Sequence, residues 1–486
     1  MNILFISGYS SWGVKFTKVA EKLIKKNEIS NYHLLTQGID SYEDVNKLDS
    51  QGVHIVFESL YKNFISSFQE IDLNELELRY GSLYKVAASD RTLIQFTHPL
   101  NYGAQHSKEF ILQYAGFWLN YFENYIENNN IDVIVTSVIA SCMPLAASMV
   151  AEHKNLPLLN LGETRYPDRT CFFSDIKRTR KVKFQEINSH HLDKADSLIT
   201  KLREKEDLKP SWADWKEDIA NPFKPSNYLK FFRNNNLYKK YQEYFDLSNF
   251  DDPILFLPTR TLRIRKYFLK VYRKLYFRTI KKLLNFSNKE YYLYTLHVDP
   301  EMATSVLALD WIDQLDLIKR IKINMKYDRL LLVKEHPTMI GMRDSRFYKE
   351  LRKIPGVEIC SDILDTGDLI RDSKMVISIT GTASLEAALA GKPSFLFAKT
   401  DFSKLTSISV FDGNLGSLDE QLRKAELSSL QDNELRTFFA NNFANSIEIV
   451  GSDIWNPTKK GEDYIEKISD LLSNCLASIS SKVRKI

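Results

Sequence analysis

Two short apolar runs, each breaking abruptly into polar residues, restrict this chain more than anything else in it. Leu330-Leu331-Leu332-Val333 gives way to Lys334-Glu335-His336-Pro337, and Met375-Val376-Ile377-Ser378-Ile379 gives way to Thr380-Gly381-Thr382-Ala383-Ser384-Leu385-Glu386. Runs of this length, bounded by turn residues, read as strands buried on both faces, as in parallel sheets. After the second run, Leu385, Ala388 and Leu389 recur at helical spacing until Gly391-Lys392-Pro393 stops them. Gly381 therefore stands where a strand ends and a helix begins. Backbone N–H groups and the helix dipole favour an anion there, such as a nucleotide phosphate.

The same alternation runs through the first half. Asn2 to Ile6 reads as a strand, Gly8-Tyr9-Ser10-Ser11-Trp12-Gly13 as a turn, and Phe16, Val19, Leu23 and Ile24 as one side of a helix. The glycine spacing is not G-x-G-x-x-G, so no dinucleotide is specified. Further strands are expected at 33–36, 53–56, 132–136 and 156–161, with helices at 110–126 and 144–154. Gly162-Glu163-Thr164-Arg165-Tyr166-Pro167-Asp168-Arg169 follows the last of these strands. A polar, proline-punctuated stretch over 176–250 leads to a second unit. Its strands are expected at Ile254–Pro258, 291–294, 357–359 and 394–397, besides the two runs above. Tyr464, Ile468, Leu471 and Leu472 mark one side of a terminal helix. Strands alternating with helices give an α/β parallel sheet. With 486 residues, two cores are expected. The expectation is two Rossmann-like domains, 1–250 and 251–455, and a terminal helix over 456–486.

A net charge of +4, from 66 basic and 62 acidic residues, is too small to imply nucleic acid. Four scattered cysteines fit neither a zinc site nor a disulfide framework. The first residues lack the flanks of a signal peptide, and no run approaches the ~20 apolar residues of a membrane span. A cytoplasmic protein is the expectation. Charge is nonetheless concentrated locally. Residues 260–289 contain no Asp or Glu but include Arg263, Arg265, Lys266, Lys270, Arg273, Lys274, Arg278, Lys281 and Lys282. Ile264, Phe268, Val271 and Leu275 keep helical spacing and are expected beneath these charges. Such a helix suits an anionic membrane surface or an anionic carbohydrate. The plainer alternative is a solvated cationic face over a packed helix. Nothing in it reads as a base-reading module.

Moving a sugar from a nucleotide donor requires the departing phosphate to be neutralised and the ribose held. An inverting reaction also needs a base at the acceptor hydroxyl. His336 can donate to a phosphate, with Pro337 fixing the backbone behind it. Gly381 and Thr382 offer donors where the helix begins. Glu386, one turn in, can accept from two ribose hydroxyls. The plainer alternatives are a packed histidine and a glutamate favoured by the first helical turn.

As a set, Lys334-Glu335-His336-Pro337, Ile379-Thr380-Gly381-Thr382, Glu386-Ala387 and Gly391-Lys392-Pro393 resemble the C-terminal domain of bacterial capsular-polysaccharide biosynthesis proteins. These are GT-B glycosyltransferases that include the Kdo transferases of capsule assembly. His297-Val298-Asp299-Pro300-Glu301 resembles that family's Q-P-E-type motif, with Asp299 where Gln is usual. The similarity covers roughly residues 250–400; the first half resembles the family only loosely, through Glu163, Arg165, Asp168 and Arg169. A similar His-Pro motif contacts CMP in bacterial GT-B sialyltransferases. The resemblance implies two Rossmann-like domains facing a cleft, a CMP- or UDP-linked donor in the second, and no metal or other cofactor; the chain has no D-x-D motif. It implies donor binding by His297, His336, Pro337, Gly381, Thr382 and Glu386, with the catalytic carboxylate among Glu163, Asp168 and Glu301. Arg165, Arg169 and Gly8 would face a polysaccharide or lipid-linked acceptor at the inner membrane. For Glu163 to Arg169 the alternative is a salt-bridged turn, and for Gly8 a tight βα turn. Two other readings share the pocket: a nucleotide-sugar 2-epimerase, and a non-catalytic carbohydrate- or membrane-binding scaffold.

Overall fold

The computed structural model describes residues 1–7, 10–37, 44–48, 50–66, 71–90, 107–166, 168–204, 260–280, 290–299, 301–360, 364–449 and 461–483. Its strands form two six-stranded sheets. The first contains β1 (Asn2–Ser7), β2 (Asn31–Thr36), β3 (Val53–Val56), β4 (Val133–Thr136), β5 (Leu158–Glu163) and β6 (Thr170–Phe173), in the order β3-β2-β1-β4-β5-β6. The second contains β7 (Tyr291–Thr295), β8 (Leu330–Lys334), β9 (Val357–Ile359), β10 (Met375–Ser378), β11 (Ser394–Leu396) and β12 (Ile408–Val410), in the order β12-β11-β10-β7-β8-β9. Each sheet thus repeats the 3-2-1-4-5-6 order of doubly wound dinucleotide-binding folds. The order reverses between β1 and β4 in one sheet and between β7 and β10 in the other.

Neighbouring strands pair in parallel throughout, apart from the antiparallel β5–β6 hairpin. Parallel strands with helices on both faces must be apolar on both sides, and Ile3 to Ile6, Leu331 to Val333 and Met375 to Ile377 are all fully buried. The edge strands β6 and β12 were not expected. The expected strand at 254–258 lies outside the described residues.

One face of the first sheet is covered by the helices Lys108–Asn128 and Cys142–His153, where Trp118 stacks on Phe57 at 5.3 Å. The other face is covered by α1 (Ser10–Lys25) and by the terminal helix Glu462–Val483. Ile465, Ile468, Leu471 and Leu472 of that terminal helix lie against Trp12, Phe16, Val19 and Leu23 of α1. Full burial of such side chains stabilises by roughly 1.5–3 kcal/mol each. The pair also encloses a cation: the buried Lys15 ammonium lies 4.8 Å from the Trp12 ring and 5.1 Å from the Tyr464 ring. The expected terminal helix is therefore present, and it packs on the first sheet although it follows the second.

The two halves are joined elsewhere too. Helix α2 (Ser189–Glu204) packs against Asp432–Ala444, and Thr170 on β6 forms an antiparallel bridge to Ile447. Helix α3 (Arg260–Ile280) corrects one expectation. Phe268 and Leu275 lie outward, not beneath the charges, while the cationic Arg273 is turned inward and buried.

Candidate functional site

In open α/β sheets, ligands gather outside the carboxyl ends of strands where the strand order reverses. In the second sheet that place lies between β7 and β10, with β8 alongside. The residue triplet Leu296-His297-Val298 follows β7, Glu335-His336-Pro337 follows β8, and Ile379-Thr380-Gly381 follows β10. The sequence motifs therefore meet because the topology brings their three strands side by side.

Buried polar ties hold these loops in register. His297 is buried, and its Nε2 accepts from the Thr380 backbone N–H at 3.2 Å, which ties the β7 loop to the β10 loop. Burial, and next the Arg343 charge, push the His297 imidazolium down to about 4. At neutral pH it is thus an uncharged acceptor, with its proton on Nδ1. The Gln314 side chain holds the His297 backbone from both sides, accepting from its N–H at 2.8 Å and donating to its carbonyl at 3.3 Å.

The second tie is ionic. Arg343 Nε donates to Glu335 Oε2 at 2.8 Å, and Arg343 Nη2 donates both to Glu335 Oε1 at 3.4 Å and to the His297 carbonyl at 2.7 Å. Burial works against the Arg343 charge, yet the facing Glu335 carboxylate, with contributions from Tyr348 and Asp299, raises it above its ordinary range. The Tyr348 hydroxyl donates to Glu335 Oε2 at 2.6 Å, and the His336 N–H donates to Glu335 Oε1 at 2.8 Å. Every lobe of the carboxylate is thereby engaged, as a buried charge requires. His336 itself is half-buried and caps the short 3-10 turn Pro337–Met339, with Pro337 at its first position. Its Nδ1 accepts from the Thr338 N–H at 3.3 Å, so the neutral ring carries its proton on Nε2. Lys334, buried at the end of β8, donates to the Leu364 carbonyl at 2.7 Å.

Gly381 owes its identity to close approach. Its N–H donates to Ser378 Oγ at 3.1 Å, the same oxygen that accepts from Thr295 Oγ1 at 3.2 Å. A Cβ on residue 381 would lie 2.3 Å from that oxygen. Thr382 occupies the cap position of the helix Ala383–Leu389 without a side-chain capping bond, and Glu386 lies half-buried in its first turn. The opposite side of this helix, through Leu385, Ala388 and Leu389, shares a buried cluster with Tyr166 of the first half.

The candidates of the first half lie on the β5–β6 hairpin. Glu163 ends β5 opposite Thr170, and the Thr164 N–H donates to the Arg169 carbonyl at 2.8 Å to close the loop. Arg165 Nη1 lies 3.2 Å from Glu163 Oε1, so part of a salt-bridged turn is present. Asp168 is half-buried in the same loop. Arg169 reaches the other half: its Nε donates to Ser446 Oγ at 2.8 Å and its Nη2 to the Ser446 carbonyl at 3.0 Å, with the guanidinium 5.7 Å from the Phe443 ring. Asn442 Nδ2 donates to the Tyr166 carbonyl at 2.8 Å alongside. Glu301 has an exposed side chain, and its backbone starts the single turn Met302–Ser305, whose Met302 joins the first sheet's core. Gly8 and Pro300 lie outside the described residues. Among the described residues, no three His, Cys, Asp or Glu gather where they could hold a metal ion.

Arg343, Tyr348 and Gln314 were not singled out from the sequence, and Glu335 was quoted without a role. The available signal was a glutamate directly after a buried strand, which must find a cation. Nothing local marked Arg343, eight positions on and across a turn, as that cation.

Residues 219–413 match the family model of capsule polysaccharide biosynthesis proteins. That span contains His297, Glu301, His336, Pro337, Gly381, Thr382 and Glu386, and none of the candidates on the first half. No curated protein matches the sequence. Among solved structures, the chain is similar to the UDP-GlcNAc 2-epimerase of Methanocaldococcus jannaschii in complex with UDP-GlcNAc and UDP, at 11% identity, 90% of this chain, 97% of that one and a TM-score of 0.25. It is also similar to KpsC, beta Kdo 2,4 transferase, of Thermosulfurimonas dismutans, at 12% identity, 64% of this chain, 79% of that one and a TM-score of 0.30. Likenesses this distant carry no argument about activity.

Proposed function

We propose that this chain, whose residues 219–413 belong with the capsule polysaccharide biosynthesis proteins, moves a sugar from a CMP- or UDP-linked donor onto a growing bacterial surface polysaccharide. The acceptor is the polysaccharide itself or a lipid-linked precursor, met at the cytoplasmic face of the membrane. One observation carries the reading: the loops that hold His297, His336 and Gly381 converge at the β7/β10 switch point and are cross-tied there by His297, Arg343 and Glu335.

In this reading His336 donates from Nε2 to the departing phosphate, next to the loop of Gly381 and Thr382. Glu386 accepts from the ribose hydroxyls. His297 acts by fixing the Thr380 backbone. The acceptor lies against the β5–β6 hairpin and the β1 loop at Gly8, with Glu163, Asp168 or Glu301 taking the acceptor proton. Arg165 balances the Glu163 charge and meets an anionic acceptor; Arg169 holds the hairpin to Ser446.

Thermal-shift titration with CMP, UDP, GDP and their sugar conjugates tests the donor assignment, because a ligand of the folded state raises the melting temperature by mass action. A selective shift with CMP or UDP is expected. Glu386→Ala should weaken that nucleotide about tenfold or more, the scale of a lost charge-assisted hydrogen bond, with the unliganded melting temperature unchanged. Unaltered affinity in this variant would remove Glu386 from the site. No shift with any nucleotide would overturn the transfer reading.

A further inference from the structure

One loop of the second half reaches into the core of the first. It runs from His297, just after β7, to Gln314 at the start of the helix Gln314–Asn324. Its two ends are clasped together, since the buried Gln314 side chain accepts from the His297 N–H and donates to the His297 carbonyl. A connection whose ends meet in this way is an Ω-loop, a compact and often functional type. Hydrogen bonds within the loop stiffen its tip. The Ser305 N–H and Oγ both donate to the Glu301 carbonyl at 2.8 Å, and the Val306 and Leu307 N–H groups donate to the Met302 carbonyl at 3.0 and 2.9 Å.

Tip and neck are held by different halves. Met302 is buried in the apolar cluster that Trp118, Val138, Ile139 and Cys142 form on the first sheet, and Val306 and Leu307 pack against the same cluster. Asp310 Oδ1 lies 3.5 Å from Lys85 Nζ on the helix Leu83–Ala88. That exposed pair contributes little energy, but it sets the loop beside a first-half helix. Behind the tip, Ala308 and Trp311 return to the core of the second sheet, where Trp311 Nε1 donates to the Phe397 carbonyl at 3.1 Å. The neck is where the switch-point ties meet. The same His297 carbonyl accepts from Arg343, and the His297 ring accepts from the Thr380 N–H.

A thioether has no hydrogen bond of consequence to offer a sugar or a phosphate, so Met302 can reach the crevice only through the backbone it anchors. Withdrawing it would expose apolar surface and leave a void in a close-packed core, which opposes any drift of the loop. We infer that Met302 is a positioning residue: seated in the first core, it fixes the loop that sets His297, and through His297 the Thr380 backbone, at the β7/β10 switch point. The crevice of the second sheet is then complete only while the first half is in place. In the transfer reading, on which this use rests, a donor is held productively only opposite an acceptor domain, so water has less chance to take the sugar. The mechanical coupling stands apart from that reading and can be measured without a nucleotide.

Hydrogen–deuterium exchange of the full, unliganded chain tests it, read on peptides covering 296–299 and 378–382. The His297 and Thr380 amides are the donors in the two ties, so they report the neck and the crevice directly. Met302→Ala should speed exchange in both peptides by about tenfold or more, besides loosening 138–147. Leu76→Ala removes a buried leucine of the same cluster from a first-half helix, and should loosen the first core alone. Met302→Leu, of similar volume, should behave as the parent. Val306→Ala trims the same tip by less and should give the same pattern at smaller size, also where Met302→Ala fails to fold. With CMP or UDP, Met302→Ala should bind about tenfold more weakly than the parent, as a less populated competent crevice requires, and Leu76→Ala should bind as the parent does. The inference is overturned if exchange at 296–299 and 378–382 is unaltered in Met302→Ala and Val306→Ala. It is equally overturned if Leu76→Ala speeds exchange there as much, since Met302 would then be one more core residue. If neither nucleotide binds the parent while exchange follows the expected pattern, the transfer reading fails and the positioning role of Met302 stands.

Discussion

The two sheets share one strand order but carry different chemistry where that order reverses. At the β1/β4 switch point of the first sheet, among the described residues at the ends of β1, β4 and β2, the buried polar groups are hydroxyls: Ser7, Thr136 and Ser137, with Thr36 at the end of β2. They are satisfied locally, as where Thr136 Oγ1 donates to Asn160 Oδ1 at 3.5 Å. At the β7/β10 switch point the hydroxyls of Ser378 and Thr380 are buried too, but beside them lie His297, Asp299, Glu335 and Arg343, with Lys334 on the neighbouring strand. Topology alone does not set the chemistry of a crevice, since both sheets have the same strand order. Charge buried in mutually dependent pairs distinguishes the second, and such pairs hold loops rigidly only while every member is present.

That contrast can be broken by mutation. The largest effect is expected from Arg343→Ala, which strands the Glu335 carboxylate and should cost about 3–5 kcal/mol in urea unfolding. A cost near that of a surface change would show that the pair is not the tie described. Next comes His297. Its folded pKa of about 4 lies below the unfolded value of 6.5, so in that window the unfolded chain binds the proton and stability falls as pH falls. About 3 kcal/mol should disappear between about pH 6.5 and about pH 4, and His297→Gln should lack that component in pH-dependent melting. Gly381→Ala should cost about 1–3 kcal/mol through overpacking against Ser378 Oγ. The cost should shrink in a Ser378→Ala background, and strict additivity would place the clash elsewhere. The smallest effect belongs to the first sheet. Thr136→Val exchanges a buried hydroxyl for a methyl of similar shape and should cost about 1 kcal/mol or less. A loss there as large as for Arg343 would erase the difference between the two crevices.

How much of this was legible in the sequence depended on whether a residue's partner was near it. β1, β7, β8 and β10 were visible because strands buried on both faces must be apolar runs. β6 and β12, three or four residues long at sheet edges, had no such mark; Thr170-Cys171-Phe172-Phe173 follows a polar turn that reads as the end of β5. The motif residues His297, His336 and Gly381 could be found because each directly follows a strand. Arg343 could not, since its meeting with Glu335 exists only once the chain has turned back on itself. For α3 the spacing placed Phe268 and Leu275 on one side correctly, but not the direction in which that side faces. Periodicity does not tell inward from outward when Arg273 can satisfy its charge on Asp344 and Met342.

The terminal helix carries a consequence for how the molecule is made. Trp12, Phe16, Val19 and Leu23 belong to α1, made before either sheet is complete, yet the surface that covers them arrives with Ile465, Ile468, Leu471 and Leu472, after the whole of the second sheet. On the ribosome, that side of the first sheet stays wet while the second sheet and its charged crevice are already in reach of closure. The first sheet is made before the second but covered after it, and a chaperone that shields α1 until the helix Glu462–Val483 emerges would guard the step most exposed to aggregation.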